Sequence, residues 1–275
     1  MDTVIGLGAA GCRIADEFAK YSQYEVYKID VGIKGENCYD LPFQSNPEGY
    51  EQNCPDMGAF LDPIEGDVLF ILSGNGLITG ATLSILKQLK NCNIHVLFIK
   101  ASNDDLSSVG EIQNKITFNV LQQYARSGIF KKIYLIDNEC LEATVGDVPL
   151  LQYFNKLNEY LVNIIHYINI FKNTPAVLDN YEPPREVSRI ATFGVHDMES
   201  GEEKYLFPLQ QERSKVYYFA INESILNTDG KLLKTIREKV NNGEVQSSYE
   251  IHSTKYDKSF CFFVSFSNIV QSLDN

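Results

Sequence analysis

The chain is 275 residues long and carries 24 Lys and Arg against 36 Asp and Glu, a formal charge of −12. A body this acidic repels phosphate backbones and anionic lipid headgroups, and its longest basic run is the pair Lys131-Lys132, which excludes a generic polyanion binder. Direct nucleic-acid binding is therefore not expected, and any bound phosphate is expected to be held mainly by backbone.

With 44% hydrophobic and 22% charged residues, the composition is that of a soluble globule with room for one large or two modest domains. The six cysteines form no C-x-x-C pair and the N-terminus enters a glycine-rich turn, so reduced thiols and a cytoplasmic protein are expected. No apolar run approaches the roughly 18 residues of a membrane span; even Val68 to Leu72 stops at Ser73-Gly74.

In chain order, Thr3 to Leu7 reads as a strand, followed by the turn Gly6 to Gly11 and a helix with Ile14, Ala15, Phe18 and Ala19 on one side. Tyr24 to Ile29 is a second strand ending at Asp30, and Asp30 to Gly66 is polar, proline-rich and loop-like. Asp67 to Leu72 is a strand that runs into the turn Ser73 to Gly80, then a helix with its apolar face at Leu83, Leu86 and Leu89. Ile94 to Ile99 (strand), Glu111 to Tyr124 (helix), Lys132 to Ile136 (strand) and Leu150 to Phe171 (long amphipathic helix) follow. This alternation implies a parallel sheet covered on both faces. After Pro183-Pro184 the pattern turns to aromatic strands at Arg189 to Val195, Lys215 to Ile221, Ser248 to Ser253 and Phe260 to Phe266. One helix, Gly230 to Val240, lies among them, with an expected cap at Asn241-Asn242-Gly243.

Gly6, Gly8 and Gly11 form G-x-G-x-x-G between a strand and a helix, a spacing that lets backbone approach a phosphate at a helix N-terminus. The same glycines also suit bare helix-to-strand packing. Asp30 at the end of the second strand keeps a NAD- or FAD-dependent oxidoreductase open. A second cradle at Gly74, Asn75, Gly76, Thr79 and Gly80 favours one nucleoside triphosphate held between two loops. Thr79 and Thr82 offer hydroxyls to a phosphate or a metal-bound water, or simply cap a helix. No Cys/His cluster has metal-ligand spacing, and no G-x-S-x-G elbow is present.

Taken together these motifs resemble the tubulin/FtsZ superfamily of polymerising GTPases over most of the chain. Gly6-Leu7-Gly8-Ala9-Ala10-Gly11-Cys12 is similar to the family's first phosphate loop, and Ser73 to Thr82 aligns without gaps on its glycine-rich signature loop. Glu111 and Lys115, Asn138-Glu139, and Phe154, Asn158, Glu159 and Leu161 then match later family marks in order. The resemblance implies a Rossmann-like parallel-sheet GTPase domain at residues 1–149, a central helix at 150–172 and a smaller α+β domain at 173–275. It further implies GTP/GDP and Mg²⁺ as cofactors, with Asn158 on the guanine edge and Glu111, Lys115 and Asn138 around the rest of the nucleotide. Lys115 replaces the family's arginine, trading a planar fork for a point charge.

By the same resemblance the partner is the chain itself, assembled head to tail, with acids after the central helix completing the next subunit's site. Asp179 and Glu182 have the family spacing if two upstream residues are deleted; without that gap Tyr181 and Pro184 fall there. A carboxylate can orient the attacking water, whereas two turn residues beside prolines need no catalytic role. Leu77 and Ile78 stand where the signature loop has glycine, restricting the backbone and crowding the space for terminal phosphates. A tubulin-like scaffold without hydrolysis is thus a further expectation.

Overall fold

The computed structural model describes the chain except residues 90, 103–107, 242, 244 and 274–275. Its first half alternates strands β1 (Thr3–Leu7), β2 (Glu25–Asp30), β3 (Cys38–Asp40), β4 (Gly66–Ser73), β5 (Cys92–Lys100) and β6 (Lys132–Asp137) with six helices. These are α1 (Gly8–Phe18), α2 (Pro47–Gln52), α3 (Gly58–Leu61), α4 (Thr82–Leu86), α5 (Ser108–Ser127) and α6 (Asn138–Val145). The central helix α7 (Tyr153–Lys172) leads to β7 (Leu178–Asp179), β8 (Ile190–His196), β9 (Glu203–Tyr205) and β10 (Ser214–Asn222). Helices α8 (Glu223–Thr228) and α9 (Leu232–Val240) and strands β11 (Gln246–Thr254) and β12 (Phe260–Ser267) complete the chain.

Among the described residues all twelve strands belong to one sheet, ordered β3-β2-β1-β4-β5-β6-β8-β12-β10-β11-β7, with β9 on β8. The first six run parallel, and β1, β4, β5 and β6 among them are the near-continuous apolar strands expected of a sheet covered on both faces. Alternation divides the core: Ile5, Leu7, Phe70 and Leu72 face α2, α4 and α5, while Val4, Leu69 and Ile71 face α1 and α7. Leu161, Ile165 and Ile168 of α7 share that second core with Val216, Tyr218 and Val264, so the central helix packs on strands of both halves. A third core, with Phe219, Ile236, Ile251 and Phe263, lies under α9.

Several local expectations are corrected. Residues 30–66 are not all loop: Asn46 caps α2, its side chain accepting from Gly49 N at 2.7 Å, and Pro47 fills the first turn where its missing N–H costs nothing. The helix expected after the second glycine turn is shorter and begins as a 3₁₀ turn, Leu77–Ala81. Its buried side is Ile85, Leu86 and Leu89, with Leu83 only half-buried. Asn241 follows α9 as its cap, while Asn242 of the expected cap lies outside the described residues.

Candidate nucleotide site

In the parallel half, chain order reverses between β1 and β4, and the crevice at the carboxyl ends of these strands is where such sheets take ligands. Both glycine turns end there. Gly6 and Gly11 bring β1, α1 and β4 together: a β-carbon on Gly6 would stand 2.5 Å from Gly11 O, and one on Gly11 would collide with Ile71 O. Their immediate duty is close packing, which draws the N-terminus of α1 down to the sheet. Gly8, at φ +71°, makes the turn that starts the helix without any intervening loop. Leu7 at the N-cap gives no side-chain hydrogen bond and the first turn has no acid, while Ala9 and Ala10 are exposed. The first-turn N–H groups therefore face the crevice without a side-chain cap, the arrangement that binds anions. Cys12 lies beneath, its thiol buried against Gly6 O at 3.4 Å and pushed up to about 12 by burial and then by Asp30, so it is unreactive.

The second turn is more tightly built than an open phosphate loop. Gly74 is pressed between the Phe98 ring and the Asn114 side chain, and Gly80 lies directly against the Pro47 carbonyl of α2. Ser73 Oγ donates to Asn75 Oδ1 at 2.8 Å. Thr79 Oγ1 donates to Gly76 O at 2.6 Å and accepts from Gln113 Nε2 at 2.9 Å. That hydroxyl is thus engaged in holding the turn rather than projecting from it. Ile78, nearly buried, inserts its Cγ2 between the turns, 2.9 Å from where a β-carbon on Gly8 would stand and 3.7 Å from one on Gly76.

The remaining candidates divide between the two ends of the sheet. Glu111 and Lys115 are exposed on the first turns of α5, and Asn138, half-buried, opens α6 at the carboxyl end of β6. Asn158 is half-buried on α7, one turn beyond Phe154 and on the same face. The Arg13 guanidinium lies 6.0 Å above the Phe154 ring, tying this start of α7 to α1. Asp30 ends β2 and accepts from Val31 N at 2.9 Å. Asp179 and Glu182 lie past the other end of α7, about 30 Å along the helix for its 20 residues. Asp179 Oδ1 accepts from Tyr181 N at 3.2 Å, and Glu182 is exposed.

Three features escaped the sequence patterns. Lys100 and Asp137, register partners at the ends of β5 and β6, form a buried ion pair at 2.7 Å beside the crevice. Asp137 Oδ1 also accepts from Glu139 N at 3.0 Å and so caps α6. Gln113 fixes Thr79, and Asn114 Oδ1 is buried against Gly74 with no hydrogen-bond partner. A charged residue closing each of two neighbouring apolar strands was the available signal for the ion pair.

No protein-family model matches the chain, and no curated protein matches it in sequence. Solved structures do match. A GDP-form protofilament of TubZ from Bacillus thuringiensis serovar israelensis gives a TM-score of 0.71 at 15% identity, covering 98% of this chain and 86% of that one. CetZ2 from Haloferax volcanii, a GTPγS-bound protofilament, gives 0.70 at 13%, covering 97% and 92%. An FtsZ mutant of M. jannaschii gives 0.68 at 12%, covering 96% and 90%. At such identity the agreement is one of backbone path, and over nearly the whole length that path is the tubulin/FtsZ fold.

Proposed function

We propose that this chain binds GTP and GDP in the crevice between its two glycine turns and assembles head to tail into filaments. One observation carries the reading: the uncapped N-terminus of α1 and the second glycine turn meet at the switch point of the sheet, with Gly8 touching Ile78 across it. The matching TubZ and CetZ2 structures are protofilaments in GDP and GTPγS forms, which supports both the ligand and the assembly. In this reading residues 1–149 bind nucleotide through Gly6 to Cys12, Gly74 to Gly80, Glu111, Lys115 and Asn138. Residues 150–172 bring Asn158 to the base, and residues 173–275 serve the next subunit.

Asp179 and Glu182 are assigned to hydrolysis in trans. They lie the length of α7 away from their own glycine turns, so only a second copy stacked end on end can bring them to a nucleotide. Among the described residues no three His, Cys, Asp or Glu side chains converge on one point. Mg²⁺ would accordingly be held chiefly by the nucleotide's phosphates and water, with little from protein carboxylates. Among the described residues no helix is long and apolar enough to cross a membrane.

Equilibrium binding of GTP, competed by ATP, GDP and NAD at protein concentrations too low for assembly, tests the site. Guanine-selective binding followed by GTP-dependent pelleting is expected. Displacement by NAD alone would transfer the crevice to a dinucleotide. Ile78 favours a second reading, a filament scaffold that binds nucleotide without turnover, which multiple-turnover phosphate release from pure protein would eliminate.

A further inference from the structure

A separate cavity of about 450 Å³ opens at the opposite end of the sheet from the glycine turns. It lies where Asp67 of β4, His95 of β5 and Lys132 of β6 meet Lys172 at the end of α7 and the loop through Tyr181 to Arg189. Its charged lining is Lys131, Lys132, Lys172 and Arg189 against only Asp67 and Glu186, four cations to two acids in a chain of net charge −12.

Four cations line the cavity, with Asp67 and Glu186 in the lining and Glu250 close enough to act on Lys172. Lys132 Nζ has a long hydrogen bond of 3.4 Å to Ser188 O and sits 4.7 Å over the Phe266 ring, and Lys172 Nζ sits 5.9 Å over the Tyr218 ring. Arg189 donates to Phe130 O at 3.2 Å and to Glu186 at 2.9 Å, but Glu186 is 90% exposed and such a pair holds the guanidinium weakly. His95 Nε2 is 3.9 Å from Asp67 while its Nδ1 is buried with no hydrogen-bond partner. Burial, then the nearby Lys172 and Arg189, bring Lys132 down to about 8, whereas Lys172 is open to solvent and has Glu250 nearby. The negative end of the α7 dipole accounts for a lysine at position 172. It does not account for Lys132 and Arg189 arriving from other elements at the same space.

We propose that this cavity binds a small phosphate-bearing anion, inorganic phosphate or pyrophosphate, between Lys132, Lys172 and Arg189. Two point-charge ammonium groups and one planar fork, approaching from β6, α7 and the loop before β8, suit a compact multiply charged oxyanion. The volume falls within the range of small-ligand sites. Tyr181, Pro183 and Pro184 line the same cavity, so an occupant would fix the loop that carries Asp179 and Glu182. The site is independent of the nucleotide crevice and of whether guanine nucleotide binds there.

Acetic-anhydride labelling of the intact protein, with and without pyrophosphate and read by mass spectrometry, tests this residue by residue. Protection of Lys132 and Lys172, with exposed Lys87 unaffected, is expected. In calorimetry, Lys172→Gln should weaken pyrophosphate binding about tenfold, and Lys132→Gln with Lys172→Gln about a hundredfold. Ala10→Asp, which repels anions from the N-terminus of α1, should leave that binding unchanged. Loss of binding in Ala10→Asp without protection of the lysines, or no binding of either phosphate or pyrophosphate to the wild-type chain, would overturn the proposal.

Discussion

The Cγ2 methyl of Ile78 lies against Gly8, joining the two glycine turns by an apolar contact across the crevice proposed to hold the nucleotide. The turns are therefore braced against each other instead of being left open. Ile78→Ala should open that gap at the cost of a packed side chain, about 2 to 3 kcal/mol of stability. The expected result is lower resistance to urea together with tighter binding of GTPγS relative to GDP. Unchanged selectivity between the two would show that Ile78 stands clear of the terminal phosphate.

Because Asp179 and Glu182 lie beyond the far end of α7, their loss should leave binding of nucleotide by the monomer untouched. Asp179→Ala or Glu182→Ala is expected to reduce filament-dependent phosphate release by about 10²-fold or more and to lengthen filament lifetime. A mixture with Gly8→Asp, whose glycine turn is blocked but whose acids are intact, should regain turnover at mixed interfaces. Wild-type rates in both alanine variants would remove these acids from the reaction.

The buried parallel strands were legible because their apolar runs are uninterrupted, as Val68 to Leu72 shows, whereas α7 was legible from the helical spacing of Leu157, Leu161, Ile164 and Ile168. The short elements between β2 and β4 were not: α2 has six residues, too few for a helical period, and owes its place to the contact between Pro47 and Gly80. The glycines of both turns could be found by spacing, but which ones pack and which border the crevice depends on neighbours far along the chain. Gly74 meets Asn114, and Gly11 meets Ile71. Likewise no basic run in the sequence announces Lys132, Lys172 and Arg189, which collect only through folding.

Lys100 and Asp137 are 9% and 8% exposed and 2.7 Å apart, so removing one strands the other in a dry setting. Lys100→Met should cost about 3 to 5 kcal/mol. Asp137→Asn keeps an oxygen to cap α6, and in the Lys100→Met background it should recover much of that loss. A double-mutant cycle by urea unfolding measures this, and additive losses would mean that the pair is not coupled.

His95 supplies a pH test. Its side chain is 16% exposed, and burial lowers its pKa from 6.5 to about 4, with Lys172, Lys132 and the N-terminus acting in the same direction and Asp67 opposing them. Tyr134, stacked on the ring at 6.2 Å, adds no charge. Between those two values the unfolded chain binds a proton that the folded chain does not, so stability rises with pH and is lost as pH falls from 6.5 toward 4. The full effect is about 3 kcal/mol. Urea unfolding across this interval should show a steeper decline for the wild-type chain than for His95→Gln, whose amide does not titrate. Parallel curves would mean that the imidazole is protonated in the folded protein, and that water or an anion reaches its Nδ1.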